Sequence, residues 1–272
     1  MVAVITRSMA TRSASSSPSL VHALPHDMAV EIAGHVAATS PLPMEDLRSL
    51  RASCQAMRAA CSNRDVGRRV ALEREAAAMR WADHDRYLAV VGILSGAGNP
   101  KACFLAGIAL IFVHRSAHQG AELLGRAAMA GHKVAAYVLG VLLYTYNTDN
   151  AVDDVARRHM RQVEGDEEVV SGDDDVAIAK ISNSECVRCR AQAVEAVSQA
   201  TWKMAPELPK TTTVSNMVTP EEDASHRCEV SGCGAREAWS DSAVFCSEEC
   251  RIRYECAMFI SQLPLTVANF AA

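Results

Sequence analysis

From residue 24 to about residue 164, apolar side chains return at spacings of three and four with few breaks. That is the period of helices that each bury one stripe. The first such stretch opens at Leu24-Pro25-His26-Asp27-Met28 and continues through Ile32 and Val36. Proline fits a first turn, where its missing N–H costs nothing, and Asp27 and Glu31 suit the positive end of the helix dipole. After a loop expected over residues 37–45, which holds Pro41 and Pro43, a second stretch carries Leu47, Leu50, Cys54, Met57 and Cys61. The longest unbroken apolar run, residues 102–113, is 12 residues, the length of a buried helix rather than of a membrane span. Beyond residue 164 the pattern stops. Residues 165–175 hold Asp166, Glu167, Glu168, Asp173, Asp174 and Asp175 against only Val169 and Val170, so self-repulsion keeps that stretch solvated. One more helix is predicted over residues 185–204, stopping toward Pro206 and Pro209. A loose stretch, residues 210–224, then leads to a cluster of cysteines.

Within the helical part lies a repeat. GNPKACFLAGI from Gly98 aligns with GHKVAAYVLGV from Gly131 at a constant offset, pairing Gly98 with Gly131, Ala102 with Ala135, Phe104 with Tyr137, Gly107 with Gly140, Ile108 with Val141 and Leu110 with Leu143. Small residues at fixed positions let two helices approach closely, and one aromatic per unit fills the gap between layers. Residues 121–130 read as the second helix of the first unit, closed by Gly131 in a left-handed cap. A period of about 33 residues is that of helix–turn–helix solenoids. The segment GRAAMAGHKVAAYVLGVLL resembles the Sel-type repeats, relatives of the tetratricopeptide repeat. Fewer than two full units are legible, and such units need neighbours to cover their faces.

The C-terminal cysteines come in two short-spaced pairs, Cys228-x4-Cys233 and Cys246-x3-Cys250. A tetrahedral zinc ion needs four donors about 2.3 Å from one point, and two such pairs joined by a loop provide them. Gly232 and Gly234 flank Cys233 as a knuckle turn requires. Ser247 is placed to cap a helix whose first turn holds Glu248 and Glu249, and free N–H groups at a helix start favour thiolate. Four cysteines in a short polar segment have no core to enter, so the spacing points to one structural zinc held by Cys228, Cys233, Cys246 and Cys250. The element FCSEEC resembles the aromatic-Cys-Ser-x-x-Cys element of MYND-like fingers and FCS-type knuckles, although the histidine and terminal cysteine of a full MYND finger are absent from their usual spacing. Cys186 and Cys189 share one helix face. They are packing residues beside Val194 and Val197, or part of a second site with Cys256 and His226. Cys54, Cys61 and Cys103 fall on apolar stripes and read as core.

LPHDMAVEIAGHV followed by DLRSLRASCQAMR resembles the F-box of plant proteins that also carry Sel-type repeats. The matching positions are Leu24, Pro25, Asp27, Glu31, Ile32, Val36, Asp46, Leu47, Leu50, Arg51, Cys54, Met57 and Arg58. Met57 stands where many members carry tryptophan, and the loop after the first helix reads as longer than usual. The resemblance covers residues 22–72 and implies docking on the Skp-type adaptor, and through it the cullin, of an SCF ubiquitin ligase. The residues implied in that contact are Leu24, Pro25, Ile32, Val36, Leu47, Leu50, Cys54 and Met57.

The expected fold is mostly α: F-box helices running into an α-α repeat, with a small zinc-stabilised C-terminal module joined by flexible linkers. The divisions are a polar tail (1–21), the F-box (22–75), the repeat region (76–165), an acidic linker (166–182), a helix (183–205), a second linker (206–224) and the zinc module (225–262). Composition changes this picture little. A net charge of −5 gives no push toward nucleic acid or anionic membrane. The basic residues beside the finger (Arg227, Arg236, Arg251, Arg253) are matched by Glu229, Glu237, Asp241, Glu248 and Glu249, which argues against a phosphate-binding stripe. The tail carries Arg7, Arg12 and a run of serines, a composition shared by disordered tails and organelle transit peptides. With no signal peptide legible there, the ten cysteines are expected in a reducing compartment, nucleus or cytoplasm. No P-loop, G-x-S-x-G, H-E-x-x-H or G-x-G-x-x-G occurs, so a binding protein is expected rather than an enzyme. The leading expectation is a substrate-recognition adaptor of an SCF-type ligase. The alternative is a zinc-finger co-regulator acting outside ubiquitination.

Overall fold

A computed structural model of the chain describes residues 24–146, 150–165, 181–202, 228, 232–236 and 241–264. It divides into two compact units, Met1–Glu75 and Ala76–Ala272. The polar tail, the acidic linker up to residue 180, the whole second linker and His226 lie outside the described residues.

Unit 1 contains helices α1 (His26–Thr39), α2 (Pro43–Ser53), α3 (Gln55–Ala60) and α4 (Arg64–Arg69), closed by a 3-10 turn at Leu72–Arg74. The loop between α1 and α2 is shorter than the sequence pattern suggested, only residues 40–42. The reason is local chemistry. Ser40 Oγ accepts from the Leu42 N–H at 2.9 Å and donates to Asp46 at 2.5 Å, while Pro43 starts α2 at the position where proline is preorganised. Arg74 donates to the last carbonyls of α1, those of Thr39 and Ser40. Glu31 on α1 and Arg69 on α4 form a two-pronged pair at 2.7 and 3.0 Å.

Unit 2 begins with α5 (Ala76–Ala82) and α6 (His84–Ala97), then α7 (Pro100–Phe112), α8 (Ala117–Met129), α9 (Lys133–Tyr146) and α10 (Asn150–Glu164). The internal repeat has a direct structural meaning. Gly98 and Gly131 end α6 and α8 with φ of 90° and 88°, a left-handed conformation that L side chains resist. The next residue caps the following helix in each case. Asn99 Oδ1 accepts from Ala102 N at 3.0 Å, and His132 Nδ1 accepts from Ala135 N at 3.1 Å. The paired aromatics Phe104 and Tyr137 are both buried. Gly107 and Gly140 are where the hairpin partners come closest: a Cβ on Gly107 would sit 3.0 Å from the Gly120 carbonyl, and one on Gly140 3.0 Å from Met160 Sδ. Thus α7–α8 and α9–α10 are two complete helical hairpins. The second was legible only in its first half, because α10 repeats the packing of α8 with unrelated residues.

The closing layer consists of α11 (Ser184–Thr201) and α12 (Glu248–Gln262), with a small antiparallel sheet. Its strands β1 (Ile181–Ser182), β2 (Ala235–Arg236) and β3 (Ala243–Phe245) lie in the order β1-β3-β2, with Ile181 opposite Phe245 and Ala235 opposite Val244. Ile181 and Ser182, which read from sequence as the end of a solvated linker, are therefore a strand that pairs with the cysteine-rich segment. The core of unit 2 is continuous through the closing layer: Phe104, Ile108, Leu124, Tyr137, Val138, Met160, Cys186, Val197, Ile252, Cys256 and Phe259 belong to one cluster. The protein is mostly α-helical, with a repeat region and a C-terminal cysteine cluster. The described part of the cysteine-rich segment is packed onto the repeat.

Candidate metal centre and partner surface

The metal centre is built from a knuckle and a helix start. Gly232 and Gly234, with φ of 81° and 79°, turn the chain sharply on either side of Cys233. Gly234 N donates to Val244 O at 2.7 Å, fixing the knuckle against β3. Cys246 follows β3 directly, and its N–H points at Cys233 Sγ, 3.5 Å away. Ser247 then caps α12, its Oγ accepting from Cys250 N at 3.2 Å, and Cys250 lies in the first turn. The four sulfurs of Cys228, Cys233, Cys246 and Cys250 all lie within 4.8 Å of one another. Cys228 and Cys246 are 3.1 Å apart, and Cys246 and Cys250 are 3.6 Å apart. Four sulfurs tetrahedrally placed about zinc would be about 3.8 Å apart, so the set fits that ion. Among the described residues, this is the one group of three or more side chains arranged to hold a metal.

Two carboxylates beside the sulfurs tie the centre to the repeat. Glu248 meets the Arg161 guanidinium through two bonds of 2.9 Å. Glu249 is shared by Arg253 at 2.7 Å, Arg157 and the Tyr144 hydroxyl. Burial pushes the Glu249 carboxyl up, but those three donors outweigh it and hold it at about 2.

Among the described residues, Cys186, Cys189 and Cys256 are not grouped to hold a metal, and His226 lies outside those residues. All three thiols are buried in the main core. Burial raises Cys186 well above the ordinary thiol range, Cys189 to about 11 and Cys256 to about 12, as expected of thiols packed in an apolar core. Cys54, partly buried, caps α3 by accepting from Met57 N at 3.4 Å.

One group escaped sequence reasoning. Glu255 on α12 is fully buried. It accepts from Tyr137 Oη at 2.9 Å, Asn183 Nδ2 at 2.5 Å and Arg190 Nη1 at 2.6 Å. Asn183 in turn accepts from Ala243 N at 2.7 Å. Burial raises the Glu255 carboxyl, opposed by Arg190 and the hydrogen bonds. The signal was present: Ile252, Glu255, Cys256 and Phe259 follow one helical stripe, and an acid there must find a buried partner.

The eight residues implied in partner docking fall into three groups. Leu47 and Met57 are buried within unit 1, so they hold its helices together and do not present themselves to a partner. Leu24 and Cys54 pack partly against the small cluster of Ala29, Met57 and Ala60, and Val36 and Leu50 are half-buried. Pro25 is exposed, and so is Ile32, at 42%. Two neighbours that sequence reasoning did not select, Met28 and Leu42, are exposed at 55% and 49%. Helix α1 turns Ala29, Ala33, Gly34 and Ala37 inward and leaves Met28 and Ile32 exposed, side chains that a helix serving only its own core would bury.

Two comparisons with known proteins find a match. Residues 95–197 match the family model of plant tetratrico peptide repeats, a span running from the end of α6 through α11. A stretch of 120 residues, 44% of the chain, is 32% identical to "Putative F-box protein At1g67623" of Arabidopsis thaliana, and covers 38% of that relative. The chain thus spans well under half the length of the curated relative it matches. No solved structure matches.

Proposed function

We propose that this chain is the substrate-recognition adaptor of an SCF-type ubiquitin ligase, acting in the nucleus, the cytoplasm or both. Unit 1 docks a Skp-type adaptor and through it a cullin, and unit 2 holds a target protein. The observation that carries the reading is the outer face of α1, which offers Met28 and Ile32, together with the partial identity to an F-box relative. An exposed apolar patch of this kind needs a partner, and a few anchors of this size supply most of an interface's energy. The chain binds and positions and performs no chemistry itself. The centre, which resembles a reduced MYND-like or FCS-type knuckle, takes one zinc ion held by Cys228, Cys233, Cys246 and Cys250. Four sulfur ligands leave no open position for water, so the ion's part is structural.

The test is co-purification of the intact chain with a Skp-type adaptor and cullin. Ile32→Asp, on an exposed position that leaves the unit's own core untouched, is expected to abolish capture while the helical circular dichroism stays unchanged. Undiminished capture by that variant, or no capture by the wild type, removes the adaptor reading and leaves the zinc-finger co-regulator in its place. Elemental analysis of protein prepared without chelator is expected to give about one zinc per chain.

A further inference from the structure

We propose that the metal centre is the clasp of the helical repeat, so that zinc loading and the order of α9 and α10 are thermodynamically linked, with Arg157 and Arg161 as positioning residues of the centre. The inference rests on the zinc reading above and goes beyond it, since a structural zinc in a small module would ordinarily order only that module. Three observations carry it. The ligands Cys246 and Cys250 bracket the start of α12, so the metal fixes where that helix begins. Between them stand Glu248 and Glu249, whose carboxylates are held by Arg161 and Arg157 of α10 and by Tyr144 of α9. The same helix, one to three turns on, inserts Ile252, Cys256 and Phe259 into the core shared with α9 and α11, and its Glu255 meets Tyr137 and Arg190 there.

The physical consequence follows from what a repeat needs. Each helical hairpin covers only its neighbour, so the last one stays open unless something closes it. Here the closing helix starts at a turn whose described flank buries little beyond Ala243 and Phe245. Metal binding is then the main source of order at that start, and the ion pairs pass this order to α10. Linkage is reciprocal: if the metal stabilises the docked α10, the docked α10 tightens the metal by the same factor. Lysine would keep the charge of both residues but lose the planar fork by which Arg161 grips the two Glu248 oxygens, and it would shorten the reach by which Arg157 Nη2 meets Glu249 and Asp153. Lysine variants therefore separate docking from a mere long-range field.

The experiment uses the full chain in its zinc-loaded form. Arg157→Lys with Arg161→Lys is expected to retain one zinc and to yield it to a competing chromophoric chelator at about tenfold lower affinity, a typical size for coupling between sites. Tyr144→Phe, which deletes one hydroxyl and keeps the ring, is expected to shift affinity in the same direction by less. Arg48→Lys in unit 1 is expected to leave it unchanged. Hydrogen exchange read by mass spectrometry is expected to rise on chelation across residues 133–146 and 150–164 as well as 241–262. Unchanged zinc affinity in the lysine pair, or an exchange increase confined to residues 228–262, overturns the clasp while leaving the zinc site intact. Absence of zinc from untreated protein overturns the zinc reading, and the clasp with it.

Discussion

His132 shows how a single residue ties cap, packing and pH together. Its Nδ1 is the acceptor that starts α9, and its ring stacks on Phe104 with centroids 4.7 Å apart. Burial foremost, then the charge of Lys101, lowers its pKa from 6.5 to about 4. The folded protein thus binds fewer protons than the unfolded chain between those values. Its contribution is complete above pH 6.5 and declines as pH falls toward 4, by up to about 3 kcal/mol. His132→Asn keeps an acceptor at the cap and removes the titration. The wild type is expected to lose more stability than this variant between pH 6.5 and 4, measured as the difference between their denaturation curves. Equal pH slopes would contradict the assignment. Gly120 makes a second prediction, from sterics alone. A Cβ there would lie 2.3 Å from Ile111 Cγ1 and 2.9 Å from the Gly107 carbonyl. Gly120→Ala is therefore expected to lower the melting temperature through a loss of about 1–3 kcal/mol. Gly125→Ala, whose nearest contact would be an ordinary 3.8 Å to Leu139, is expected to be neutral or stabilising in a helix. Residues that act through local rules, such as Ser247, Gly131 and the four clustered cysteines, were legible in the sequence because spacing alone defines their job. The burial of Glu255 could be read from its stripe, but its partners could not, being up to 118 positions away.

Among the elements, α12 carries the most consequence for its length. One end starts at the clustered cysteines, and the middle holds a carboxylate with no exposure at all, matched by Arg190 at 5%. Removing one member of a buried ion pair leaves the other charged and unpaired, which costs about 3–5 kcal/mol, whereas replacing both by apolar groups costs far less. Glu255→Ala is therefore expected to shift the chemical denaturation of the zinc-loaded chain strongly. The pair Glu255→Leu with Arg190→Met should recover much of the loss. A double variant as unstable as the sum of the singles would mean that the network, and not the ion pair, carries the energy. Helix existence and the repeat register could be read from the chain because period and glycine punctuation are local signals. The strand at Ile181–Ser182 could not: two residues beside an acidic stretch become a strand only because Val244 and Phe245 lie alongside.

For the whole molecule, both the proposed partner surface and the proposed metal site are framed by helices. Unit 1 leaves Met28, Ile32 and Leu42 exposed while burying Leu47, Met57 and Leu72, and unit 2 closes a short helical repeat with a cysteine-bearing element from the far end of its sequence. In the sequence these looked like a chain of separate modules, because linker composition marks where packing pauses along the chain and says nothing of what returns to pack later. Chelation offers a check at this scale. Unit 1 has its own core, so removing zinc is expected to leave capture of a Skp-type adaptor intact while the thermal transition of unit 2 falls. Loss of adaptor capture on chelation would show that the units depend on each other.

The return of α12 onto α9 also has a meaning in time. Tyr137 and Glu255 are 118 positions apart. At translation speeds of about 5–20 residues per second, the ribosome makes Glu255 about 6–24 s after Tyr137. Once Glu164 has been made, well before Glu255, the two helical hairpins are complete and can form from local contacts, but the face of α9 that receives Ile252 and Phe259 has nothing to cover it. The nascent chain therefore carries a bare apolar strip for many seconds, long enough for a chaperone to engage it. Ribosome-bound chains stalled after residue 202 are expected to recruit such factors, and chains released after residue 264 in the presence of zinc are expected to shed them.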